Sequence, residues 1–234
     1  MTSVQLRAGV RGRGLRRGAS AIAVVLAASA VMLAAETKGK VRKGVYYSPE
    51  TNFSVPVPSA GRMRVSDGHN AKEGIGAVSF YDDFGNQRGI HYMRIPVDLV
   101  AQFDQAGQPA DLLAHWLSNF ALPYWFRPAS ANSRILHEAS LSFEGDEALL
   151  AEVEIPGGSP LVVMDQQGTR RLDSRRRLVV FRRGSYLYIV TMERGKSLFG
   201  SREEPDKPPE APEGDWTAFA SEIVPFYRSI AFTP

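Results

Sequence analysis

An α+β fold, an antiparallel sheet covered by two main amphipathic helices, is what this 234-residue chain predicts. Three observations carry that expectation. Apolar and polar residues alternate with period two through several short runs. Tight turns rich in Gly, Asn and Asp join those runs, as antiparallel neighbours require. Two stretches, one central and one C-terminal, change to a period of 3.6. The order is strands, helix, strands, helix, and the helices can cover the sheet's faces.

The chain opens with Arg7, Arg11, Arg13, Arg16 and Arg17, then an apolar run from Ala19 to Ala35, with no acid in residues 1–35. A basic region, an apolar region and small residues at its end predict a secretory signal peptide. Cleavage after Ala35 leaves a more hydrophilic mature N-terminus than cleavage after Ala30. The competing reading is an uncleaved anchor in the inner membrane, since the run meets the lower limit of a spanning helix, roughly 17 residues. Residues 36–43 are polar and read as a tether. A single domain is expected over 44–234.

Within it, VYYSPETNFSVPV gives two β-rich pieces around Ser48–Thr51, a hairpin. Gly76–Asp83 and Arg88–Ile95 flank Gly85-Asn86, a two-residue turn that would set Asp83 opposite Arg88. Over Pro109–Leu122, Leu112, Leu113, Trp116, Leu117, Phe120 and Ala121 form one helical face, with Asp111, His115, Ser118 and Asn119 opposite. Pro123 is expected to end that helix, ahead of Tyr124, Trp125 and Phe126. Ile135, His137, Ala139, Leu141 and Phe143 then share a strand face. Gly145-Asp146 turns the chain into a strand with Leu149, Ala151, Val153 and Ile155 inward. A short apolar run at Leu161–Met164 suits a further strand or edge. Leu178–Phe181 and Tyr186–Met192, joined at Gly184-Ser185, are apolar enough for central strands covered on both faces. Residues 201–214 hold four prolines and read as a mobile Pro- and acid-rich loop. Asp215 caps a closing helix whose apolar face comprises Trp216, Phe219, Ile223, Phe226, Tyr227 and Ile230, kinked at Pro225.

NFSVPVP near the start, the aromatic central helix, the hairpin ending in SYLYIVTME and the closing WTAFASEIVPFYRSIAF together resemble the PsbP-like α/β/α family. The resemblance spans about residues 44–232 and lies in element order and hydrophobic pattern. It implies a small, often exported protein with a non-catalytic accessory or assembly role. No metal or partner site of that family can be carried onto particular residues here.

Composition excludes several chemistries. With no cysteine, there is no disulfide scaffold, thiolate zinc site, iron–sulfur cluster or thiol nucleophile. The net charge of +3 belongs to the leader: beyond residue 35 the 28 basic residues fall to 23, against 25 acidic ones. Export, rather than charge, argues against nucleic acid. His69, His91, His115 and His137 lack the spacing of helical metal pairs. Asp82, Asp83 and Asn86 suit a hairpin end better than a calcium loop, so no metal is expected. Gly195-Lys196-Ser197 has Val190 where a phosphate loop needs its leading glycine. No cofactor and no catalytic residue is assigned.

Two features point to binding. Arg170, Arg171, Arg175, Arg176 and Arg177 can form a basic patch for an envelope protein or an anionic surface, unless they are solvated strand ends. Tyr124, Trp125 and Phe126 can line a ligand pocket, or simply plug the sheet. The expectation is therefore an exported, non-catalytic binding or assembly protein of the cell envelope, periplasmic or secreted. Membrane contact is expected only if the leader stays uncleaved. The alternatives are a periplasmic hydrolase pairing His137 or His91 with a carboxylate, and a small-molecule binder using the aromatic triplet.

Overall fold

The computed structural model describes residues 38–58, 63–83, 85–106, 109–143, 146–159, 162–165, 168–193 and 223–233, all within one compact unit. For 141–143, 146, 162–165 and 168–170 only the backbone is described. The leader, the loop at 201–214 and the first part of the closing helix lie outside the described residues.

The fold is α+β. Its main sheet is antiparallel, with strands in the order β4–β5–β6–β12–β11–β8–β7. These are β4 (Arg64–Asn70), β5 (Ile75–Tyr81), β6 (Gln87–Arg94), β7 (Arg134–Phe143), β8 (Asp146–Ile155), β11 (Ser174–Arg183) and β12 (Tyr186–Glu193). A smaller sheet, β1–β2–β3–β13, is built from β1 (Lys40–Arg42), β2 (Val45–Tyr47), β3 (Phe53–Pro56) and β13 (Ala231–Phe232). The hairpin β9 (Val162–Asp165) and β10 (Gly168–Arg171) pairs separately. Helices α1 (Val97–Gln105) and α2 (Pro109–Trp116) precede a π-helical segment, Leu117–Phe126, and residues 223–228 form α3.

The sheet has a different cover on each face. On one, Leu113, Trp116, Leu117, Ala121, Leu122 and Phe126 pack on Leu149, Ala151, Val153, Leu178, Val180, Leu187 and Ile189. On the other, Tyr46, Phe53 and Val55 of the small sheet, with Ile223, Phe226 and Tyr227 of α3, pack on Val78, Phe80, Tyr92, Val179, Phe181 and Tyr188. Each such fully buried Leu, Val or Phe contributes about 1.5–3 kcal/mol.

Several local expectations are corrected. Lys40–Arg42, read as part of a tether, pair with Val45–Tyr47. Arg88 stands opposite Phe80, not Asp83, because the turn is longer than two residues. The Asp82 carboxylate accepts from Asn86 N (3.0 Å) and Asn86 Nδ2 (2.8 Å), closing a loop over 82–86, and Asp83 pairs with Arg64 instead. Pro123 does not end the central helix. The segment widens to a π turn, whose bonds span five residues, and the Arg127 N–H donates to the Leu122 carbonyl at 2.9 Å. His137 is exposed rather than buried with Ile135. A bulge between them sets Ile135 opposite Val153 but His137 opposite Glu152, so the two side chains leave opposite faces of the strand.

One contact across the main sheet depends on a missing side chain. His69, Gly76, Tyr92 and Tyr188 form a cross-strand row facing the small sheet. The Tyr92 ring lies over Gly76, where any Cβ would overlap its hydroxyl. Gly76→Ala should therefore cost about 1–3 kcal/mol of stability, the usual effect of overpacking. Urea denaturation will measure it, and a neutral substitution would show that Tyr92 moves freely.

Candidate functional site

The structure assembles a histidine and a carboxylate that no local pattern announced. Glu50, at the tip of the β2–β3 hairpin, inserts its carboxylate between three strands of the main sheet. His69 Nε2 on β4 lies 3.2 Å from Glu50 Oε1, and the two side chains are 2% and 9% exposed. The Tyr186 hydroxyl on β12 donates to Glu50 Oε2 at 2.7 Å, and Arg94 on β6 pairs with the same carboxylate. Arg94 Nε and Nη2 also donate to the Tyr186 hydroxyl, at 3.2 and 3.1 Å. On the other side of the imidazole, Nδ1 lies 3.3 Å from the Tyr92 hydroxyl, with the two rings stacked. Burial, then the charges of Glu50 and Asp67, push the Tyr92 hydroxyl well above its ordinary range. Every polar atom of the imidazole is engaged and buried. The cluster fastens the hairpin to the sheet and leaves no base exposed to a substrate.

The opposite face is differently arranged. His91 on β6 points toward the helices, in one cross-strand row with Ala77 and Ile189. Its ring centroid lies 5.2 Å from that of Trp125 and 5.6 Å from that of Phe126. Desolvation, and then the positive charge of Arg176, lower its pKa to about 3. The imidazole is neutral at any physiological pH. Its Nδ1 has no hydrogen-bond partner among the described residues, nor has Nε1 of Trp116, whose ring centroid lies 5.8 Å from that of Trp125. Arg176 packs on this face as well. Its Nε donates to Glu193 Oε2 at 3.0 Å and its Nη2 to Gln87 Oε1 at 3.2 Å, while Gln87 Nε2 donates to Ser79 Oγ at 3.3 Å. Gly89 forms the floor beside them: a Cβ there would stand 2.6 Å from Thr191 Oγ1 and 3.7 Å from His91 Nε2.

Among the described residues this floor is only partly covered. No residue of β4 or β5 belongs to the apolar cluster under the helices. On that side the two strands present Ser66, Gly68, Ala77 and Ser79, which are exposed or half-exposed. Beside them the helical segment stacks Trp116, Phe120 and Tyr124 in a ladder at i, i+4, i+8, with Trp125 edge-on to all three. Tyr124, at the ladder's end, is 42% exposed.

The residues singled out in the sequence fare unequally. The aromatic triplet divides into core (Phe126), half-buried wall (Trp125) and exposed end (Tyr124). Of the arginines, Arg175, Arg176 and Arg177 on β11 do not share a face. Period two turns Arg175 and Arg177 to one face, opposite Glu154 and Glu152, and Arg176 to the other, opposite Val153. Arg175 lies 4.0 Å from Glu154, which Arg134 also binds at 2.8 Å. Arg171 is exposed at the end of β10, and Arg170 is described by its backbone alone. Arg176 instead shares the face of His91 and binds Glu193 and Gln87. Sequence reasoning missed Glu50 and His69 because they are 19 positions apart, one in the β2–β3 turn and the other on β4 of the main sheet. Gly76 and Gly89, two glycines inside strands, were the local signal of a close approach.

No family model matches the chain, and no curated protein matches it. Solved structures do. The chain is similar in structure to cyanobacterial PsbP (CyanoP) from Synechocystis sp. PCC 6803. That likeness covers 84% of this chain and 98% of the other, at 13% identity and a TM-score of 0.44. A Bacteroides thetaiotaomicron protein matches 82% of this chain with 48% of its own length, at 10% identity and a TM-score of 0.39.

Removing the Glu50 carboxylate should leave the buried His69 and the half-buried Tyr186 without their acceptor. Glu50→Ala is expected to cost about 3–5 kcal/mol, as breaking a buried pair does. The measurement is urea denaturation at neutral pH, and a loss under about 1 kcal/mol would mean that the pair is solvated.

Proposed function

We propose that the chain is an exported, non-catalytic binding or accessory protein of the cell envelope, whose working surface is the partly covered face of β4–β6 beside Trp125. One observation carries the non-catalytic reading: His91, the histidine at that surface, is buried against Trp125 and Phe126 and pairs with no carboxylate among the described residues. A base for hydrolysis works best with a pKa near the operating pH. The His69–Glu50 pair has the right groups but is sealed, and His137 is exposed on the edge strand β7. Binding suits the same surface. Half-buried aromatics beside small polar residues let a partner approach the sheet closely and gain apolar contact.

The leader supports export, through its five arginines, its apolar run and its small residues before Glu36. Among the described residues no helix is long and apolar enough to cross a membrane.

Photo-crosslinking in the intact envelope tests the reading. A crosslinker at Ser79 or Tyr124 should trap a discrete partner, and one at Arg171 should not. The opposite pattern would return the function to the arginines. The mass of the recovered chain reports on export: an N-terminus at Glu36 is expected, and a full-length mass in the membrane fraction would mean an anchor.

A further inference from the structure

We propose that the outer face of the β1–β2 hairpin docks on the anionic headgroups of a phospholipid bilayer, through Lys40, Arg42, Lys43 and Tyr47. This surface is separate from the face of β4–β6. Membrane contact then does not require that the leader stay uncleaved.

The hairpin gathers cations that nothing neutralises. Lys38, Lys40, Arg42 and Lys43 are all exposed, and residues 38–47 include no acid. None of the four has an ion pair among the described residues. Register turns two of them outward. Lys40 stands opposite Tyr47 and Arg42 opposite Val45, while Val41 stands opposite Tyr46, which is buried in the core. The same outer face continues through Ser54, Pro56 and Ala231, so the strands of the small sheet place no carboxylate on it. Asp67 is engaged on the inner side, accepting from Gly39 N at 2.6 Å and from the Tyr46 hydroxyl at 3.1 Å.

The turn adds a further cation at a local cost. Lys43 and Gly44 both have positive φ, 49° and 76°, as a two-residue hairpin turn of the primed type requires. Asn, Asp or Gly suits the first of these positions, and a lysine there is disfavoured. Conformations of that kind persist where the surroundings or a function hold them.

Two features favour a bilayer over an acidic protein. The first is composition. Val41 and Tyr47 are 51% and 45% exposed, and they are two of the four exposed large apolar side chains among the described residues. A tyrosine ring among long basic side chains suits the headgroup region, where the ring sits in the interface and the cations reach phosphate. The second is position. The apolar run ends at Ala35, four residues before Gly39, whose N–H is fixed on Asp67. Four residues span at most about 14 Å, so a bilayer that takes up the run has the hairpin at its surface.

The test is co-sedimentation of the exported chain, with its N-terminus as the cell leaves it, on vesicles of phosphatidylcholine alone or mixed with phosphatidylglycerol. Wild type should prefer the anionic vesicles and lose that preference in added salt. Lys40→Gln, Arg42→Gln and Lys43→Asn together should cut the preference roughly a hundredfold, about fivefold per cation. Asparagine suits the left-handed turn, so Lys43→Asn alone should keep or raise the melting temperature while weakening binding, which separates charge from folding. Tyr47→Ser should weaken binding as well, and Arg171→Gln, an exposed cation elsewhere, should not. Equal binding to both vesicles, or a preference unchanged in the triple variant or in Tyr47→Ser, would overturn the proposal. So would tighter binding to polyglutamate than to the anionic vesicles, which would make the partner an acidic protein. The assay does not involve the face of β4–β6, so its failure leaves the accessory reading standing.

Discussion

Leu178–Phe181 and Leu187–Met192 are buried on both sides of the main sheet, and this double burial dictates the rest of the architecture. A strand pair that is apolar on both faces must be covered twice, so the protein is built in layers. On one side the cover is a second small sheet with α3; on the other it is helical. The small-sheet side is closed by polar fastening as well as by apolar contact. Glu50 reaches from its hairpin into Arg94, Tyr186 and His69, which belong to three different strands of the main sheet. Tyr92 extends that row by lying across Gly76.

The helical side is closed over β8, β11 and β12 and left partly open over β4 and β5. That asymmetry separates two histidines that look alike in sequence. His69 sits in the fastened half, with a carboxylate on one ring nitrogen and a tyrosine hydroxyl beside the other. His91 sits at the margin of the open half, against Trp125 and Arg176, neutral and incompletely bonded. The first has a structural role. The second lies at the edge of the strands that the helices cover, buried against Trp125 and Phe126.

Much of the scaffold was legible because its elements obey their own periodicity. The stripe from Leu113 to Ala121 is buried and its opposite stripe is exposed, and the hairpin at Gly184-Ser185 closes with Arg183 opposite Tyr186. What escaped was weakly apolar or non-local. β4 is a polar edge strand, and α1 buries Phe103 alone while Val97 is 85% exposed. The bulge after Ile135 and the widened turn at Pro123 each add one residue to a regular repeat, which shifts a face without changing the composition. On β11 the run of arginines is divided between two faces, which the linear sequence does not show. The site itself was half visible: Trp125, Arg176 and His91 each attracted notice, but only the strand register sets Arg176 and His91 on one face, and only the packing of the π-helical segment lays Trp125 against His91.

The claim on which the functional account turns is that His91 is held neutral by burial beneath Trp125. Its imidazole can be followed directly by ¹³C and ¹⁵N resonances in histidine-labelled protein, assigned with His91→Asn. The neutral ring should persist from about pH 8 down to about pH 4, far below the ordinary histidine range. A titration near pH 6.5 would contradict it: His91 would then be solvated and available as a base, and the surface would have to be reconsidered as a catalytic one.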